Sequence, residues 1–117
     1  MENIDIVAKA VRALDDKKAE EIKVIKISEL TVMADYFIIA NGNSNTHVRA
    51  LAEEVEYALN QAGEKPRNIE GRATGWILLD YGSVMVHVFT PRDRDYYNLE
   101  RLWQDGEEID ITDFISE

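Results

Sequence analysis

The chain has 117 residues, enough for one small domain and too few for two that fold independently. Its 13 Lys and Arg stand against 23 Asp and Glu, a net charge of −10, which argues against binding a phosphate backbone or an anionic membrane and favours a basic protein surface as partner. The absence of cysteine excludes disulfides, cysteine zinc sites, iron–sulfur clusters and thiol catalysis.

No apolar run reaches the roughly 18 residues of a membrane helix, and the N-terminal MENIDIVAKAV has no signal-peptide core. A soluble, cytoplasmic protein is expected. In chain order, Ile4, Val7, Ala8, Val11 and Leu14 form one helical stripe, with Asn3 as the expected N-cap and the DDKK run at 15–18 as its end. Residues 21–27 read as a half-buried strand, and the continuously apolar Asp35–Ala40 as a central one. The Asn41–Asn45 segment then breaks the chain, and Ser44 can cap a second helix. That helix carries the stripe Val48, Leu51, Ala52, Val55, Ala58, Leu59 and Ala62, and Gly63 stops it. Asn68–Gly71 reads as a short strand and Arg72–Gly75 as a loop.

Residues 76–89 read as a β-hairpin with Tyr81-Gly82 or Asp80–Ser83 as its loop, so that Leu79 faces Val84 and Trp76 faces His87. Alternation sends Ile77, Leu79, Val84, Val86 and Val88 to one face, suited to lie under helices. Trp76, Leu78, Asp80, Met85, His87 and Phe89 go to the other, which suits a partner surface or a looser second layer. Thr90 and Pro91 open a helix bearing Tyr96, Leu99, Glu100 and Trp103. The acidic tail from Asp105 keeps Ile109, Ile111 and Phe114 for docking. The order α-β-β-α-(β)-β-β-α gives an α/β domain over 1–117, a mixed sheet with helices mainly on one face.

Catalytic chemistry finds little support. Gly42-Asn43-Ser44 between a strand and a helix is placed like the Gly-Ser of nucleotidyltransferases, with Glu54 and Glu56 as candidate metal carboxylates. Those two acids fall within a helix, where positions two apart diverge. Ser44, His47 and Asp80 are conceivable as a hydrolase triad, but no nucleophile-elbow motif accompanies them. No cofactor and no metal site is expected.

Several motifs in order carry a resemblance: Ala34-Asp35-Tyr36-Phe37-Ile38-Ile39, Gly42–Val48, Glu70-Gly71, Gly75-Trp76-Ile77-Leu78-Leu79-Asp80-Tyr81-Gly82, Val86–Phe89 and Arg94–Trp103. Over nearly its whole length the chain resembles the ribosomal silencing factors, the RsfS or Iojap family. The resemblance implies a nucleotidyltransferase-like fold without the catalytic carboxylates, and no enzymatic activity. It implies binding to ribosomal protein fourteen of the large subunit, steric obstruction of subunit joining, lower translation when nutrients are short, and a homodimer when free. Trp76, Leu78, Asp80 and Tyr81 match the family's partner-binding patch. The acidic extension after Trp103 departs from many members, which stop earlier. Two alternatives remain at this point: a nucleotidyltransferase-like enzyme using Gly42-Asn43-Ser44, and a dimeric adaptor for another basic protein.

Overall fold

The fold is described from a computed structural model, for residues 2–71 and 75–115; of the expected Arg72–Gly75 loop, residues 72–74 lie outside the described residues. Eleven elements follow in order: α1 (Asn3–Asp16), β1 (Glu20–Lys26), β2 (Tyr36–Asn41), α2 (Asn45–Gln61), β3 (Asn68–Glu70), β4 (Trp76–Asp80), β5 (Val84–Phe89), α3 (Pro91–Tyr97), α4 (Leu99–Leu102), β6 (Glu107–Ile109) and α5 (Thr112–Ile115). The strands form one six-stranded sheet in the order β3-β4-β5-β2-β1-β6. All pairs are antiparallel except the central β2–β5, which is parallel. The expected mixed α/β sheet is therefore present. No helix among the described residues is long and apolar enough to cross a membrane.

Two faces of the sheet do different work. Ile77, Leu79, Val84, Val86 and Val88 pack with Val7, Val11 and Leu14 of α1 and Val48, Leu51 and Val55 of α2 into the main core. All five strand residues are buried, as their alternation requires. A second, smaller cluster of Ile25, Ile27, Ala34, Phe37, Ile39 and Phe89 lies on the opposite face, with Trp76, Met85, Leu99 and Trp103 against it.

Three local readings are corrected. Asn3 is not the cap of α1: Glu2 precedes the helix without a side-chain bond, while the Asn3 amide donates to Asp35 (2.7 Å) and accepts from the Ser83 hydroxyl (2.7 Å). The hairpin register is shifted by two residues, with Trp76 opposite Phe89 and Leu78 opposite His87. The Tyr81 N–H bonds the Val84 carbonyl, so the turn is Gly82-Ser83, and Gly82 takes the positive φ of 85° that the turn demands. An even shift preserves both faces. The expected single helix after Thr90 is broken by Asn98, whose φ of 48° ends α3 and starts α4. The tail does dock, through a strand that the sequence pattern does not reveal: β6 pairs with Val24–Lys26, and Ile109, Ile111, Phe114 and Ile115 pack against the main core.

Candidate functional site

The second sheet face is closed at one end and half-open at the other. Register places Glu70, Leu78 and His87 side by side, as it does Trp76 with Phe89 and Asp80 with Met85. Phe89 is fully buried, whereas Trp76, Leu78, Asp80 and Met85 are half-buried. The expectation that this face carries a looser layer is met over its β1–β2–β5 part, where Leu99 and Trp103 cover it.

Trp76 is fixed on three sides. Its ring stacks on Phe89 at 5.1 Å and meets Tyr97 at 4.5 Å. Its indole N–H donates to Nδ1 of His87 at 3.1 Å. That bond makes Nδ1 an acceptor, so neutral His87 carries its proton on Nε2. Nε2 is buried and makes no hydrogen bond among the described residues. The ring also contacts Phe37 at 4.7 Å. Burial pushes His87 down to about 4, since water is not available to solvate the imidazolium. The indole, imidazole and benzyl rings thus form one neutral, rigid platform.

Tyr97 and the 80% exposed Tyr96 continue this platform outward, ring to ring at 5.0 Å. The sequence reading assigns neither to the surface, although Tyr96-Tyr97 adjoin Leu99 in a recognised motif. Their position depends on Arg94, which is buried. Its guanidinium donates to the Glu100 carboxylate through two nitrogens (2.9 and 3.0 Å), to the Glu21 carbonyl (2.7 Å) and to Asn41 Oδ1 (3.0 Å). One side chain thereby ties α3 and α4 to β1 and β2, and its hydrogen bonds hold the Glu100 carboxyl below its usual range.

The four residues singled out from the sequence are not all brought together. Trp76, Leu78 and Asp80 share the half-open face. Asp80 also accepts the Gly82 N–H at 2.7 Å, shaping the turn. Tyr81 points to the helix side and belongs to the main core. Its hydroxyl is raised well above its ordinary pKa, by burial first and by Glu56 and Glu64 second.

The catalytic alternatives fare differently. Glu54 and Glu56 both lie within α2, roughly 200° apart around its axis, so they cannot converge on one ion beside Ser44. Ser44 caps α2 by accepting the His47 N–H. His47 accepts the Asn43 N–H at Nδ1 (2.9 Å), and its Nε2 lies 2.8 Å from the Lys17 carbonyl. Asp80 pairs with Met85, while Ser44 follows the Asn41–Phe89 end of the sheet. The imagined triad is therefore split between opposite strand ends.

With the geometry in place, the comparisons are specific. The family described as "Ribosomal silencing factor during starvation" matches residues 1–117. The chain is similar to Ribosomal silencing factor RsfS of Halalkalibacterium halodurans, 38% identical over 117 residues, covering 99% of this chain and 100% of that one. A mouse relative named "Mitochondrial assembly of ribosomal large subunit protein 1" is 32% identical over 80% of this chain, which spans 42% of that longer protein. Among solved structures, a crystal structure from Chromobacterium violaceum superimposes with a TM-score of 0.87 at 40% identity, covering 94% of this chain and 92% of that one.

Proposed function

Because the chain belongs to the ribosomal silencing factor family, we propose that it acts in the cytoplasm on the large ribosomal subunit, by occupancy rather than by catalysis. In this reading the half-open face docks on ribosomal protein fourteen and fills the volume that the small subunit needs. Joining is blocked, and translation falls when nutrients are limiting. Trp76, Leu78 and Asp80 make the contact, extended by Tyr97. Tyr81 holds the hairpin on the helix layer, so that the contact residues keep their register. The free protein is a homodimer in the same proposal.

The observation that carries the reading is the rigid aromatic platform around Trp76, half-open on a chain of charge −10. Aromatic anchors dominate interface energies, and an acidic surface speeds encounter with a basic ribosomal protein. The family's own description refers to starvation, and the mouse relative's name to the large subunit. Sedimentation of purified subunits at saturating protein tests it. Fewer joined ribosomes, with the protein comigrating with the large subunit, is the expected outcome. Undiminished joining overturns it.

A further inference from the structure

A second exposed surface lies at the end of the sheet opposite Trp76, next to the hairpin turn. The β1–β2 connection, residues 27–35, folds as a closed loop. The Ile27 N–H bonds the Asp35 carbonyl (2.8 Å), and the Leu30 and Thr31 N–H groups bond back to Ile27 (2.9 and 3.2 Å). The Thr31 hydroxyl accepts the Met33 N–H (3.1 Å), and Asp35 is held by the Ser83 carbonyl through its N–H and by the Asn3 amide through its carboxylate. Ile27 and Ala34 at the base are buried in the cluster that Met85 and Trp76 also join. The tip does the opposite. Leu30 is 46% exposed, Met33 52% and Val32 106%.

A mobile loop can hide apolar side chains by collapsing. This one is braced at both ends and across its middle, so its apolar tip stays presented to water. Such preorganisation lowers the entropy lost when a partner covers it. The flank is acidic: Glu29, Asp105 and Glu107 surround the hollow beside Leu30, and among the described residues Lys26 is the one cation lining it. A second copy of the chain would bring like charges together there, which opposes self-association through this tip.

We propose that the tip formed by Leu30, Val32 and Met33 inserts into an apolar hollow rimmed by basic side chains on the large-subunit protein. The two contact regions then flank the half-open face, the aromatic platform at the Trp76 end of β4 and the loop tip beyond its Asp80 end. β4 alone separates those ends by about 13 Å at the usual strand rise. This inference rests on the large-subunit reading given above and adds a second anchor to it.

The test compares equilibrium binding of purified large subunits by the full chain, by the double variant Val32→Ser, Met33→Ser, and by Glu29→Lys. Melting temperature and oligomeric state are measured alongside. The tip side chains pack on little, so the double variant is expected to melt as the parent does, yet to bind at least tenfold more weakly. Glu29→Lys is expected to slow association several-fold. Parental affinity in the double variant overturns the second anchor while leaving the large-subunit reading standing. A double variant that binds normally but no longer dimerises overturns it in favour of a second copy. An unchanged association rate for Glu29→Lys overturns the basic rim. Failure of the unaltered chain to bind large subunits overturns both readings.

Discussion

Truncating Trp76 removes the stack on Phe89, the contact with Tyr97 and the hydrogen bond to His87 at once. The residue is half-buried, so Trp76→Ala is expected to cost about 2 kcal/mol of stability, less than the 3–5 of a fully buried ring. Affinity for the large subunit is expected to fall about thirtyfold, on the order of 2 kcal/mol. Trp76→Phe keeps the ring but not the N–H, so it should recover most of the stability and only part of the affinity. Thermal melting and equilibrium binding, measured on both variants, separate the two roles. His87 gives a pH signature of its own. Its folded pKa, about 4, lies below the roughly 6.5 of an exposed histidine, so below pH 6.5 the unfolded chain takes up a proton that the folded chain refuses. Stability therefore declines from pH 6.5 toward 4, by about 3 kcal/mol at most. His87→Phe should flatten the part between pH 6.5 and 5.5, where carboxylates contribute little; denaturant unfolding at a series of pH values reads this. Trp76, Leu78 and Asp80 were legible as one face because strand alternation is strict. The burial of Tyr81 was not, because the expected loop covered that residue and alternation stops at a loop; nor was the bond from indole to imidazole, which depends on register and on what packs above the strand.

Among the elements, the C-terminal tail shows most clearly where sequence reasoning stops. Four of its apolar side chains pack against the main core and its β6 completes the sheet edge. Removing residues 105–117 is thus expected to cost on the order of 4 kcal/mol, seen as an earlier midpoint in chemical denaturation. Ile109, Ile111 and Phe114 were legible as docking residues. The strand was not, because Glu107-Glu108-Ile109 has no alternation to read and is paired only by tertiary context. The same holds for backbone excursions. Gly82 at φ 85° and Asn98 at φ 48° decide the hairpin register and the break between α3 and α4. Neither angle is written in the apolar pattern, though glycine and asparagine are the residues that tolerate it. The other strands were legible, the central one because a continuous apolar run such as Phe37–Ala40 belongs to a sheet covered on both sides.

For the whole molecule, the charge of −10 makes a kinetic prediction about binding. Raising salt to about 0.5 M shortens the Debye length to roughly 4 Å, so association with the large subunit should slow clearly while dissociation changes much less. Stopped-flow measurement across a salt series checks it, and a flat association rate would deny the charge a part in encounter. The sheet topology sets a different clock. β2 and β5 lie side by side in parallel at its centre, so no tight turn can join them, and α2, β3 and β4 must all be traversed before they meet. Apart from the β1–β6 edge pair, that contact closes the longest stretch of chain in the sheet, and its formation is expected to limit the folding rate. Shaving a methyl from Ile38, which pairs with Val86 there, should slow folding. Ile109→Ala on the late-arriving edge should chiefly hasten unfolding, a contrast that the two arms of a denaturant chevron display. The strand pair at the heart of the domain would then govern how long each new copy stays vulnerable before it can reach a ribosome.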